Sequence, residues 1–203
     1  MEANTTPTPT PTRITGRQSR IGTLVIMGAV AALILGVVYF TNQPKGGTAD
    51  GVTQVTLTGS AGEAPVIGNP APDLALVTAD GTTMKLSDLK GHPVWLTFGA
   101  SWCQPCRAEN PDIQTTFAKH QGTGLEVVQV YLSEDSRTVK EYADRVGLQY
   151  TLVPDPDTAL ASAYRTLGIP THFFIGADGV LKSMKIGSLD PTSMDAALSG
   201  IGG

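Results

Sequence analysis

Cysteine is scarce in this chain, with two in 203 residues. So small a number excludes a domain stapled by many disulfides and a structural zinc site built from two cysteine pairs. Positive charge is also short, since 14 Lys and Arg stand against 18 Asp and Glu for a net charge of −4. An acidic surplus repels phosphate, so no nucleic acid is expected among the partners. Charged residues make up only 16% of the chain, well under the roughly 25% of an average soluble domain. The shortfall is concentrated, because no charged side chain occurs between Arg20 and Lys45.

What fills that gap is IGTLVIMGAVAALILGVVYF at 21–40, in which only Gly22, Thr23, Gly28 and Gly36 are not apolar. As a helix this run is roughly 30 Å long, one hydrocarbon thickness of a bilayer. The apolar core of a signal peptide is shorter, about 7–15 residues, and leads to small residues rather than to a bulky pair such as Tyr39-Phe40. An uncleaved transmembrane anchor is therefore expected at 21–40, with the lipid bilayer as its partner. Arg13, Arg17 and Arg20 precede it and Lys45 alone follows closely, which places the amino terminus in the cytoplasm and the rest outside. Gly28, Ala32 and Gly36 form a small-residue face, which is also ordinary composition for a membrane helix.

The remaining composition divides the chain. Residues 1–20 carry three arginines against one glutamate and alternate Thr with Pro, the make-up of a disordered cytoplasmic tail. Residues 41–64 are rich in Gly, Thr, Ser and Pro and read as a flexible linker, with a short strand at 52–58. Residues 65–203 are long enough for one packed core. In that domain, apolar runs alternate with helix-like stretches, which predicts an α/β fold with a central sheet flanked by helices. Strands are expected at 94–98, 125–132, 172–175 and 180–186, the last two joined through Asp178-Gly179. Helices are expected at 103–119, kinked at Pro111, and at 136–146, 158–167 and 191–198.

Both cysteines fall in Trp102-Cys103-Gln104-Pro105-Cys106, after a strand and at the start of a helix. A thiolate at a helix amino terminus is favoured by free N–H groups and the macrodipole, and two-residue spacing lets the sulfurs bond and separate. Cys103, nearer the helix end, is expected to be more exposed and to attack; Cys106, one turn in, resolves the mixed disulfide. A static disulfide is the weaker reading, because so short a loop gains little chain entropy. A metal site would need further ligands, and His92, His120 and His172 are scattered, each more readily a surface or satisfied polar residue. His172 stands apart only through its place beside the segment 168–171. No metal and no cofactor beyond the dithiol is expected.

These residues resemble the thioredoxin fold and, within it, the membrane-anchored TlpA/ResA-like thiol-disulfide oxidoreductases. The likeness is carried by GNPAPDLAL (68–76), DGTTMKLSDLKGHPVWLTFGASWCQPCRAENP (80–111) and AYRTLGIPTHFFIGADGVL (163–181). The first and third blocks are shared with peroxiredoxins, while the Trp-Cys-x-Pro-Cys centre followed by Pro111 points to disulfide reductases. The resemblance implies a cis proline at Pro170 facing the cysteines. Ile169 before it would pair with an extended substrate segment, with Trp102 and Thr171 in the same substrate-binding face. It also implies that Glu109 accepts a proton from Cys106, where a residue of this type in an early helical turn could otherwise simply complement the dipole. Two positions depart from the pattern: Thr97 replaces the buried aspartate of thioredoxin itself, and Gly99 replaces a frequent aromatic, leaving a gap that is either open to substrate or filled by neighbours.

The function so implied is extracytoplasmic exchange with protein thiols and disulfides, in the reducing direction because Gln104-Pro105 puts no charge between the cysteines. Cytochrome c maturation is the implied pathway, and a membrane thiol carrier the implied electron source. The alternatives are a Sco-like copper relay using the cysteines and His172, although that family spaces its cysteines by three residues, and a thiol peroxidase with Cys103 as sulfenate.

Overall fold

The computed structural model describes residues 18–41, 51–57 and 63–202. The disordered tail expected at 1–20 falls outside these for 1–17, as do 42–50 and 58–62 of the expected linker. The chain divides into two units, Met1–Gly46 and Gly47–Gly203.

In the first unit, α1 (Gln18–Thr41) is a 24-residue helix. Its side chains are described at 24–38, where all are apolar or glycine and all are exposed. Among the described residues, no helix is long and apolar enough to cross a membrane.

The second unit is built on β4 (Val94–Gly99), a strand buried at every position. It pairs in parallel with β5 (Glu126–Leu132), which pairs in parallel with β6 (Thr151–Asp155). On its other side it pairs antiparallel with β8 (Thr171–Ile175), and β8 with β9 (Leu181–Ile186). The sheet order is therefore β6-β5-β4-β8-β9. A hairpin of β2 (Ala75–Val77) and β3 (Thr83–Lys85) stands apart from it. So does a two-residue ladder between β1 (Thr53–Gln54) and β7 (Gly168–Ile169). The short strand expected at 52–58 is thus two residues long, and it belongs to the folded unit.

Period-two alternation sends Leu96, Phe98, Val128, Val130 and Phe173 to one face, where they form the larger apolar cluster with Tyr164 and Leu76. Trp95, Val127 and Phe174 go to the opposite face and pack with Ile113 of α2 (Gln104–His120) and with Met194 and Leu198 of α5 (Pro191–Ser199). Asp190 caps α5 by accepting the Ser193 N–H at 2.8 Å, and Asp135 caps α3 (Ser136–Val146) in the same way through Thr138. α4 (Ala159–Ala163) is shorter than the helix expected at 158–167. Its first N–H groups, at Leu160 and Ala161, are taken by the buried Asp155 carboxylate. Its end comes where Arg165 adopts a left-handed φ of 50° and Thr166 N–H turns back to Ala161 O. α2 continues through Pro111, which lacks the N–H for one intrahelical bond.

Candidate active site

The corner between β4 and α2 is held from behind by Glu134, which follows β5 and is buried. The Ser101 N–H donates to its carboxylate at 2.8 Å, and the Ser101 hydroxyl donates to its other oxygen. Cys103 then caps α2, its Sγ accepting the Cys106 N–H at 3.3 Å. Cys103 and Cys106 form a disulfide, with Cα atoms 5.3 Å apart. The expectation that Cys103 is the more exposed sulfur is corrected, since both residues are 1% exposed. The reason lies in the facing chain, where the Ile169 carbonyl oxygen stands 3.9 Å from Cys103 Sγ. The Ile169–Pro170 peptide is cis. Ile169 is fully buried, Thr171 donates its hydroxyl to Gly168 O at 2.6 Å, and Trp102 is 49% exposed beside the thiols in sequence.

Beneath α2 a polar row crosses the sheet. The registers place Gln129 of β5 opposite Thr97 of β4, and Thr97 opposite His172 of β8. All three are buried, and two consecutive residues of α2 descend onto them. Asn110 meets Gln129, its Oδ1 accepting the Gln129 amide at 3.1 Å, while Gln129 Oε1 accepts the hydroxyls of Tyr150 at 2.6 Å and Tyr131 at 3.0 Å. Asn110 completes the network by donating to Tyr142 Oη at 2.9 Å. Burial holds both Tyr131 and Tyr150 above their ordinary range, so their hydroxyls stay donors. This network also fills the place of the missing aromatic: a Cβ on Gly99 would lie 2.9 Å from Gln129 Nε2 and 3.5 Å from Cys106 Sγ. The gap expected at Gly99 is thus occupied by neighbours.

Glu109 meets His172. Its Oε1 lies 3.1 Å from His172 Nε2, both side chains being within 1% of complete burial. The contact is short but poorly directed, and among the described residues neither atom has another hydrogen-bond partner. On the far side of the ring, Nδ1 accepts the Trp95 indole N–H at 3.3 Å and lies 3.0 Å from Thr97 Oγ1. Indole nitrogen only donates, so the neutral ring carries its proton on Nε2, facing Glu109. Desolvation pushes the Glu109 carboxyl up to about 8, opposed by the Leu189 backbone and the Ser188 side chain. Desolvation pushes His172 down, to about 3, opposed by the Gly187 backbone. Both shifts favour uncharged forms, so near neutral pH a carboxylic acid faces a neutral imidazole. His172 is therefore neither a surface residue nor a fully satisfied one, which corrects the expectation for this histidine.

His92 and His120 are remote from this row: His92 Nδ1 contacts Gly124 O at 3.1 Å, and His120 pairs with Asp195 at 3.0 Å. Among the described residues no three His, Cys, Asp or Glu side chains gather as a metal site. Sequence reasoning missed Glu134, Asn110 and Gln129. The one trace of Gln129 in the sequence is its position as the lone amide in the apolar run LEVVQVYL.

The mixed sheet, the cis proline and the dithiol corner together define a thioredoxin-fold oxidoreductase. The chain belongs to the AhpC/TSA family, whose profile matches residues 67–184. It is 30% identical over 138 residues to the thiol-disulfide oxidoreductase ResA of Geobacillus kaustophilus, covering 68% of this chain and 79% of that one. To ResA of Bacillus subtilis it is 31% identical over 122 residues, 60% of this chain and 68% of the other. Among solved structures it is similar to a thiol:disulfide interchange protein of the thioredoxin family from Chlorobium tepidum. That likeness has 29% identity and a TM-score of 0.60, over 69% of this chain and all of that one. The chemistry of this chain is thiol-disulfide exchange, with Cys103 and Cys106 as its disulfide pair.

Proposed function

We propose that this oxidoreductase is a membrane-anchored reductant of protein disulfides outside the cytoplasm, in which Glu109 moves the proton of Cys106. In the reducing direction the Cys103 thiolate attacks one sulfur of a substrate disulfide. That bond breaks, a mixed disulfide forms, and the released substrate thiolate takes a proton from solvent. Cys106 then passes its thiol proton to Glu109 and attacks Cys103 Sγ, so the second substrate thiolate leaves and takes its own proton from solvent. The Cys103–Cys106 disulfide is the product, two electrons having passed to the substrate. Reduction by a membrane thiol carrier reverses the sequence, and the proton held on Glu109 returns to the departing Cys106 thiolate.

The observation that carries this is the buried Glu109 carboxyl, held near 8 and one helical turn from Cys106 in the disulfide state. A neutral carboxyl there is a proton already loaded for the next reduction. The reducing direction is supported by the surroundings of Cys103 Sγ, which receives a backbone N–H and, among the described residues, no bond from a charged side chain. A weakly stabilised thiolate favours the disulfide, hence a low potential. Ile169, Thr171 and Trp102 are the substrate-binding face, and no cofactor other than the dithiol is required. The anchor at 21–40 is supported by its charge-free, largely apolar sequence and by the exposed side chains at 24–38, which need a cover other than water. Reduction of haem-binding cysteines in cytochrome c maturation suits such a protein. A copper relay is less well supported, since the His172 nitrogens already face Glu109 and the Trp95–Thr97 pair.

The test is the reduction potential of the full chain, together with trapping of mixed disulfides by Cys106→Ser. A potential at or below about −220 mV is expected, and one near about −120 mV, that of a strong oxidant, would overturn the reducing direction.

A further inference from the structure

The backbone of Ile169 is where an extended substrate segment would add beside Cys103, and here that position is taken by the chain itself. β1 lies antiparallel on β7, with Thr53 opposite Ile169 and Gln54 opposite Gly168. Val55 N–H donates to Leu167 O at 2.9 Å. Hydrogen-bonded pairs alternate along an antiparallel ladder, so the next such pair is Thr53 with Ile169. Side chains support the docking: Val55 and Leu57 pack on the apolar cluster that contains both cysteines. Val52 lies so close over Gly168 that a Cβ there would meet its Cγ1 at 2.5 Å, which accounts for glycine at 168. With Cys103 only 1% exposed, no protein disulfide reaches its sulfur until something moves.

We propose that residues 51–57 are an internal occupant of the substrate track, a strap that a protein substrate displaces, and that the displacing segment is extended, uncharged and β-branched. This rests on the proposed disulfide-reducing function and adds its substrate class and gate. The strap names the chemistry by its own sequence, Val-Thr-Gln-Val-Thr-Leu at 52–57, which carries no charge. The rim agrees with it. Trp102 precedes Cys103, Leu167 precedes Gly168, and Ile186 pairs with Thr171, and these three apolar side chains are 49%, 65% and 63% exposed. A ladder only two residues long is also easily opened.

The test compares the reduced full chain in detergent with a Thr53→Pro/Val55→Pro variant, which lacks both N–H groups that the strap points at β7. Each is mixed with two disulfide-bridged peptides, one with Val and Thr flanking its cystine and one with Asp and Lys in those places. The variant is expected to reduce the Val/Thr peptide about tenfold faster than the parent chain, the ratio given by roughly 1.4 kcal/mol of strap docking. Both proteins should prefer it to the charged peptide. Val52→Ser, which trims only the side chain over Gly168, gives the same direction with a smaller step and serves if the double variant does not fold. Equal rates for parent and variants, with exchange running, would overturn the strap alone. Faster reaction without preference between the peptides would overturn the substrate class. No exchange by any of them would overturn the proposed function as well.

Discussion

Glu109 and Asn110 are neighbours on one turn of α2 and descend onto one polar row of the sheet, yet their surroundings are opposite. Asn110 enters a closed set of hydrogen bonds with Gln129 and three tyrosines. Glu109 accepts a long bond from the Leu189 N–H on Oε2 at 3.4 Å, and its Oε1 meets the His172 imidazole in a short, misdirected contact that leaves Oε1 and Nε2 without a proper partner. A satisfied buried network fixes geometry, and here it seats Gln129 against the backbone of Gly99 behind Cys106. An under-satisfied titratable pair instead keeps a proton on the carboxyl up to near neutral pH, where it can be passed on without breaking a network. The two halves of the row thus separate support from chemistry, although composition and burial alone do not distinguish them.

The sharpest way to break this contrast is to damage each half in turn. Gln129→Leu removes one hydrogen bond each from Asn110, Tyr131 and Tyr150, at about 1–1.5 kcal/mol each. Chemical denaturation should show a loss of roughly 3–5 kcal/mol, with exchange per folded molecule little changed. Glu109→Gln should do the reverse. Stability below pH 4.5, where the Glu109 carboxyl is neutral both folded and unfolded, should stay within about 1 kcal/mol, while reduction of a protein disulfide near pH 7 slows about 100-fold, or about 2.7 kcal/mol of barrier. An unchanged rate would remove Glu109 from proton transfer.

How much of this was legible in the sequence follows from the range of each interaction. The dithiol corner is local, so strand, cap and helix could be placed from a few residues around Cys103. Glu109 was reachable through the family resemblance, which implies a glutamate one turn after the second cysteine. The row was not, because the alignment of Gln129, Thr97 and His172 is set by cross-strand register among segments far apart in the chain. The same holds for the burial of Cys103, which depends on Ile169 facing it, and for β1, whose partner is remote from a Gly/Thr-rich stretch that by itself reads as linker.

The pH dependence of stability sharpens the comparison further, because the two members of the loose pair act in opposite directions. Glu109 has a folded pKa raised from 4.5 to about 8, so the stability of its neutral form is complete below 4.5 and lost as pH rises through 8. His172 has a folded pKa lowered from 6.5 to about 3, so its contribution is complete above 6.5 and lost as pH falls towards 3. Between about 4.5 and 6.5 the slopes cancel. The oxidised protein should therefore hold a plateau there and lose about 2 kcal/mol between pH 6.5 and 8. In Glu109→Gln the fall above 6.5 should vanish, and its persistence would mean that another group carries it.

The smallest effect tests the far side of the imidazole. If Trp95 N–H and the Thr97 hydroxyl both donate to Nδ1, the ring proton sits on Nε2 and points at Glu109. Thr97→Val then removes one of two donors, costing about 1 kcal/mol, while Trp95 keeps the tautomer as it was. Nitrogen-15 shifts of His172 should show Nε2–H in parent and variant alike. A ring that carries its proton on Nδ1 would need Thr97 as acceptor. Nε2 would then be an acceptor, and the carboxyl of Glu109 would have to donate its proton to His172 instead of holding it for Cys106.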